Sequence, residues 1–189
     1  MFGVRVFDTV LNENHKDTVT RNAADFWKPF CQSAGWDFNY ERVHSLQDLE
    51  YFLSRKIKED IIIFSGHGEY DGFHLTNKSC FDGDNLKPLP EKNHGKLVIF
   101  SSCLIGKNEE LAHSLKTYFK ASALISYREL MMDQFCFLYE STLLSFIEHK
   151  LSKKKNSFTL NDFSEFQGYT EFMKNMNKEN AKLHPMVWT

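Results

Sequence analysis

Hydrophobic and polar residues follow two different periods early in the chain, and the changes of period predict alternating strands and helices. Residues 2–7 are mostly apolar and fit a strand, whereas the apolar residues within 22–34 recur at helical spacing. Gly35 is suited to end that helix. Residues 36–40 alternate as a half-exposed strand, and Ser45 is placed to cap a second helix. The pattern predicts a β-α-β-α unit.

Two short runs of consecutive apolar residues follow, at 61–64 and 97–100. Uninterrupted runs of this kind are typical of strands that are buried on both faces in a parallel sheet. Between them, residues 72–77 are bracketed by Gly and Asn and predict one arm of a small antiparallel hairpin. The stretch 81–95 contains Pro and Gly residues and predicts a loop.

The rest of the chain continues the alternation. Asn108 is placed to cap a helix, residues 121–127 fit a further strand, and amphipathic stretches predict helices at 131–151 and about 160–180. Alternating strands and helices imply right-handed crossovers and a mainly parallel sheet covered on both faces. We therefore expect one α/β domain over residues 1–189, with a doubly wound three-layer α/β/α fold that carries the small hairpin.

Composition and charge limit the classes of function. The 189 residues include 23 basic and 25 acidic side chains scattered along the sequence, so the net charge is −2 and no strongly basic surface is expected to attract nucleic acid. Apolar runs of about five residues are far too short to span a bilayer. The four cysteines lie far apart, which favours free thiols in a reducing compartment. We expect a cytoplasmic protein that binds neither nucleic acid nor membrane.

Chemically capable side chains directly follow the two buried strands. Ser-Gly-His-Gly occupies 65–68 after the first strand, and Ser-Ser-Cys occupies 101–103 after the second. Doubly wound sheets bind ligands beyond the carboxyl ends of their strands, and neighbouring strands lie about 4.8 Å apart. His67 and Cys103 are therefore predicted to meet at one sheet edge, as base and nucleophile of an acyl transfer. The N–H groups of Gly68 and Cys103 are predicted to bind the developing oxyanion.

The joint placement of His67 and Cys103 is what favours catalysis. A lone cysteine after an apolar strand is usually a packing residue, and a lone histidine usually has a structural role. Here both follow strands of the same type, at the same predicted edge and among small residues. The pair is therefore a stronger indication of an active site than either residue alone.

The order of these motifs resembles the caspase-like cysteine peptidases, and in particular their CHAT branch. Other segments similar to the family are the turn at 81–86, the small-residue exit at 104–106, the block at 121–139 with Asp133 and Tyr139, and His184-Pro185 with Trp188. The resemblance implies a caspase-like fold and a thiol protease that uses no cofactor or metal. It also implies a protein or peptide substrate, a regulatory protein partner or ligand, and a role in prokaryotic antiviral defence or stress signalling.

Two departures from the family pattern affect the expectations. The sequence stops at Thr189, where the family's last strand should continue, so we expect a truncated edge strand. Relatives that cut after basic residues carry an acid where this chain has Ser101, whereas Tyr127 and Arg128 resemble the pocket of caspases for an acidic residue. We expect Ser101, Tyr127 and Arg128 to contact the substrate, and Asp or Glu to precede the cut.

A metal site is not predicted. His74, His94 and His113 have no carboxylate or thiol at an obvious ligand spacing in the sequence. The cysteines other than Cys103 are interpreted as packing residues, namely Cys31, Cys80 and Cys136.

Two further hypotheses belong to different functional classes. One is a catalytically silent caspase-like module that holds a peptide or partner at the same edge without cutting it. The other is a flavodoxin-like or receiver-type signalling domain with Asp8 as the phosphate-accepting acid. Asp8 lacks the acidic neighbours that a magnesium site needs, which makes the receiver the weakest of the three hypotheses.

Overall fold

Strands and helices alternate along the chain in the computed structural model, which describes residues 2–10, 22–154, 166 and 185–189. The elements in chain order are β1 (Gly3–Asp8), α1 (Ala23–Ala34), β2 (Asp37–Arg42), α2 (Leu46–Leu53), β3 (Ile61–Ser65), β4 (His67–Glu69), β5 (Gly72–His74), β6 (Cys80–Phe81), β7 (Leu97–Ser101), α3 (Glu109–Phe119), β8 (Ala123–Ser126), α4 (Asp133–Lys154) and β9 (Met186–Trp188). The alternation predicted from the sequence is confirmed.

The central sheet has the strand order β2-β1-β3-β7-β8-β9. All neighbouring strands pair in parallel except β9, which runs antiparallel to β8 at the edge. The two all-apolar runs form β3 and β7, which lie side by side in the middle and are buried along their whole length. This arrangement confirms the predicted doubly wound, mainly parallel sheet.

Helices cover both faces of this sheet, so the chain folds in three layers. Helices α1 and α4 pack on one face, for example through Trp27 and Leu143. Helices α2 and α3 pack on the other face, together with a small sheet of order β4-β5-β6. The aromatic rings of Phe64 and Phe100 stack at 4.7 Å in the core beneath that small sheet. Burial of each such ring stabilises the fold by about 1.5–3 kcal/mol.

Side-chain caps fix where the helices begin. Asn22 accepts a hydrogen bond from the N–H of Ala24, and Ser45 accepts one from Asp48. Asn108 accepts one from the N–H of Leu111 at the start of α3. Gly35 ends α1 in the left-handed conformation, with φ of 71°. The caps predicted at Ser45, Asn108 and Gly35 are therefore confirmed.

The structure differs from the expectation in the hairpin. The predicted hairpin is a three-stranded antiparallel sheet, and its arm at Gly72–His74 is shorter than expected. The edge strand lies at Met186–Trp188 and is three residues long. The helix predicted at about 160–180 falls outside the described residues except for Phe166, which is buried against Tyr139 at 5.5 Å. No helix in the described part of the chain is long and apolar enough to cross a membrane.

Candidate active site

The carboxyl ends of β3 and β7 are aligned, and this alignment brings the predicted pair to one edge. Ser65, the last residue of β3, lies opposite Ser101, the last residue of β7. His67 and Cys103 each follow two residues later. Both residues therefore lie beyond the same edge of the sheet, after two neighbouring strands that are about 4.8 Å apart. Both are half-buried, which leaves each partly accessible to a substrate.

The chain turns sharply at the predicted nucleophile. The N–H of Ile105 donates to the carbonyl oxygen of Cys103 at 2.7 Å, and Leu104 between them has φ of 62°. A leucine in this left-handed conformation costs roughly 1–2 kcal/mol. Backbone strain of this kind is concentrated at functional sites, where it fixes the direction of a side chain. Here it fixes the position of Cys103 at the end of β7.

A close backbone contact joins the histidine strand to this turn. A Cβ atom added at Gly68 would collide with the carbonyl oxygen of Cys103 and would lie 2.7 Å from the Oγ of Ser102. Only glycine allows this approach. Since Gly68 directly follows His67 in β4, the contact places the histidine segment against the cysteine turn.

The sulfur of Cys103 accepts a hydrogen bond that the sequence did not indicate. The N–H of Met131 donates to the Sγ of Cys103 at 3.2 Å. This contact ties the sulfur to the loop that leads to α4. The N–H of Cys103 itself donates no hydrogen bond to another described residue. A role of this N–H in an oxyanion site stays a prediction.

The residues expected to contact the substrate lie at different depths. Ser101 and Tyr127 are completely buried, whereas Arg128 is exposed just beyond β8. The hydroxyl of Tyr127 donates to the Oε1 of Glu140 at 3.1 Å. Burial, followed by the charge of Glu140, raises the pKa of Tyr127 well above its ordinary value. The burial of Ser101 and Tyr127 does not support direct contact with a substrate, and only Arg128 is exposed for that role.

The acid on which the receiver hypothesis depends is buried. Asp8 is completely inaccessible, and its Oδ2 accepts hydrogen bonds from Arg42 at 2.6 Å and from the hydroxyl of Tyr40 at 2.8 Å. Burial is the main cause that raises the pKa of Tyr40 to about 12, and Asp8 adds to it. A carboxylate held in this way is not placed to accept a phosphoryl group, so the structure argues against the receiver hypothesis.

The other cysteines are of two kinds. Cys31 and Cys136 are buried in the core, as the packing interpretation predicted, and burial raises the pKa of Cys31 to about 12. Cys80 is only half-buried and lies beside Asp71 and His74. Spacing in the sequence did not indicate this cluster, because it is the pairing of β5 with β6 that brings Cys80 opposite His74. The signal that could have found it is the short polar turn at 76–79, which allows the strands before and after it to pair and brings Cys80 opposite His74.

Comparisons with known proteins add no family to this picture. No protein-family model matches the chain, and no curated protein matches it significantly in sequence. The resemblance to caspase-like peptidases therefore rests on the motifs quoted above. The geometry of the site at His67 and Cys103 is the remaining indication of function.

Proposed function

We propose that the chain is a caspase-like cysteine endopeptidase in which Cys103 is the nucleophile and His67 the acid–base. The observation that carries the proposal is the close approach of Gly68 to the carbonyl group of Cys103. It supports a contact between the segments that bear the two side chains, at the edge where doubly wound sheets bind ligands. The aligned ends of β3 and β7 support the same pairing.

The proposed reaction begins when His67 takes the proton of the Cys103 thiol and the resulting thiolate attacks the scissile carbonyl carbon. A C–S bond forms, and the carbonyl oxygen becomes an oxyanion that accepts hydrogen bonds from the N–H groups of Cys103 and Gly68. His67 then donates a proton to the leaving nitrogen, and the C–N bond breaks to give a thioester. In the second half, His67 takes a proton from water, which attacks the thioester carbon. The C–S bond then breaks, His67 returns its proton to the sulfur, and the new acid loses its proton to solvent and leaves as a carboxylate.

Arg128 is the residue we propose for recognition of the peptide. It is exposed, directly follows the buried Tyr127, and makes no ion pair with any described residue. Its guanidinium is therefore available to a carboxylate, for which its planar set of donors is well suited. We propose that Asp or Glu is preferred immediately before the cut.

The proposed setting is a regulated protease of a prokaryotic defence or stress-signalling system, located in the cytoplasm. The four cysteines are all free thiols, which supports a reducing compartment. The proposed regulator is a protein partner or a ligand. Regulation is supported by the loop that leads to α4, because the N–H of Met131 in this loop donates a hydrogen bond to the Sγ of Cys103. A regulator that moved this loop would change the environment of the sulfur.

Labelling with a peptidyl acyloxymethyl ketone tests the proposal. This probe alkylates an activated cysteine, so we expect selective labelling of Cys103 in the wild type and none in Cys103→Ala. Cys80→Ala is the matched control, since Cys80 is also partly accessible, and it should be labelled like the wild type. Equal labelling of Cys103→Ala, or no selective labelling of the wild type, contradicts the proposal. The second result favours the catalytically silent module.

A further inference from the structure

A second cluster of chemically capable side chains lies on the small sheet β4-β5-β6. His74 stands opposite Cys80 in the antiparallel pair β5–β6, and Asp71 is in the turn that precedes β5. The ligand atoms of Asp71, His74 and Cys80 all lie within 4.8 Å of one another. The Nε2 of His74 is 2.8 Å from the Oδ1 of Asp71, and the thiol of Cys80 donates to the backbone oxygen of Asp71 at 3.5 Å.

A glycine makes room for the thiol in this cluster. A Cβ atom added at Gly72 would collide with the Sγ of Cys80, and Gly72 has φ of 151°. Any larger residue would push the sulfur out of the cluster. The position of the Cys80 sulfur beside His74 and Asp71 therefore depends on the backbone of the turn as well as on strand pairing.

The electrostatic surroundings of this thiol are negative. Burial is the main cause that raises the pKa of Cys80 to about 12, and the charges of Asp71, Asp82 and Glu69 contribute to it. The carboxylates of Asp71, Asp82 and Glu69 near the thiol attract a divalent cation to the same position. A bound cation then replaces the proton on the sulfur, because a coordinating thiol is deprotonated.

We propose that Asp71, His74 and Cys80 form a Zn²⁺ site that is separate from the Cys103–His67 pair. A set of one oxygen, one nitrogen and one sulfur ligand suits Zn²⁺, whereas Mg²⁺ and Ca²⁺ prefer oxygen ligands alone. Ligand atoms around a tetrahedral zinc ion are about 3.3–3.6 Å apart, given the usual bond lengths. The side chain of Asp71 is 68% exposed, so it is free to move the short distance that this requires. Water fills the fourth position.

The competing site for a metal is the active-site pair itself. His67 lies directly opposite His74 in the pair β4–β5, so the proposed metal site and the active site are neighbours. A thiol–imidazole pair such as Cys103 and His67 also binds Zn²⁺ or Co²⁺. The experiment must therefore separate the two sulfurs, and it does not depend on peptidase activity.

Titration of the purified full chain with Co²⁺ makes this separation. Coordination by a thiolate gives Co²⁺ a sulfur-to-metal charge-transfer absorption in the near ultraviolet. We expect this absorption in the wild type and in Cys103→Ala, its loss in Cys80→Ser, and its displacement by an equivalent of Zn²⁺. His74→Ala and the exposed substitution Asp71→Asn should weaken Co²⁺ binding by about tenfold or more. His113→Ala, on the exposed side of α3, is the matched histidine control and should bind as the wild type does.

Three results would overturn the proposal. The first is absorption that persists in Cys80→Ser and disappears in Cys103→Ala, which assigns the metal to the active-site pair. The second is unchanged affinity in both His74→Ala and Asp71→Asn. The third is a wild type that shows no charge-transfer absorption at saturating Co²⁺. Far-ultraviolet circular dichroism of Cys80→Ser checks that this variant is folded. If it is not folded, the Co²⁺ affinity of Asp71→Asn still tests the proposal.

Discussion

The N–H of Met131 donates a hydrogen bond to the sulfur of Cys103 across 3.2 Å. This contact links the loop between β8 and α4 to the turn after β7, two parts of the chain that are 28 residues apart. We therefore expect the loop to influence the reactivity of the Cys103 sulfur. A backbone donor cannot be removed by changing an ordinary side chain, but proline removes it.

Met131→Pro is predicted to slow alkylation of Cys103 by iodoacetamide about tenfold at neutral pH. A hydrogen bond to a charged group contributes about 1.5–3 kcal/mol, and its loss disfavours the thiolate. Met131→Ala keeps the N–H and should react like the wild type. Mass spectrometry of the Cys103 peptide over time gives the rates. Equal rates for the proline and alanine variants would show that the hydrogen bond has no influence on reactivity.

Gly68→Ala is predicted to reduce kcat/KM about 100-fold with little change in circular dichroism. The added methyl group would meet the carbonyl oxygen of Cys103 and displace the turn that holds the nucleophile, and small displacements of reacting groups have effects of this size. Gly35→Ala is the control, because Gly35 also has a positive φ but lies in open space at the end of α1. It should lower stability by about 1 kcal/mol and leave kcat/KM unchanged. Wild-type activity in Gly68→Ala contradicts the role of this contact.

Arg128→Gln is predicted to reduce cleavage after Asp and Glu at least tenfold, while cleavage after a neutral residue changes little. The substitution removes the exposed guanidinium that would pair with the substrate carboxylate. Arg55→Gln is the matched control, because Arg55 is also exposed and lies in the connection between α2 and β3. Matched peptides that differ only in the residue before the cut measure the preference. An unchanged ratio rules out Arg128 as the specificity residue.

Glu59 is predicted to make stability depend on pH. Burial alone would raise the pKa of Glu59, but hydrogen bonds from its own backbone, Arg5 and Asn39, with the charge of Arg5, lower it. A lowered pKa means that the ionised side chain stabilises the fold above its unfolded pKa of about 4.3, and that this stabilisation is lost as the pH falls.

Glu59→Gln should therefore be less stable than the wild type by roughly 3 kcal/mol at neutral pH, since it removes one partner of a buried ion pair. The difference should shrink as the pH falls through about 4 towards 3. Urea unfolding of both proteins at several pH values measures it. A difference that stays constant over this range would mean that the charge of Glu59 does not contribute.

The fold was predictable because its signals are local. The apolar runs that became β3 and β7 could be read without knowledge of the rest of the chain, and so could the caps at Ser45 and Asn108. The placement of His67 and Cys103 just after the ends of neighbouring strands followed from the general rule on strand ends in doubly wound sheets. These predictions needed only periodicity and strand order.

The remaining features depend on contacts between distant parts of the chain. The donor at Met131 reaches Cys103 only because of the path that the loop takes after β8. The burial of Tyr127 could not be read from its place after a strand, since the hydroxyl meets its partner Glu140 on a different element, α4. The sequence indicated only a packing residue at Cys80. Its position opposite His74 depends on the register of β5 and β6, which is set by the hairpin turn.

The most direct test of the peptidase assignment is a cleavage-site profile with a proteome-derived peptide library. The wild type, Cys103→Ala and His67→Ala are incubated with the library, and the new termini are identified by mass spectrometry. The peptidase assignment predicts many cuts by the wild type, with Asp or Glu enriched before them, and loss of these cuts in both variants. The same cuts made by Cys103→Ala, or a wild type that cuts nothing and whose Cys103 also fails to react with the ketone probe, would contradict it.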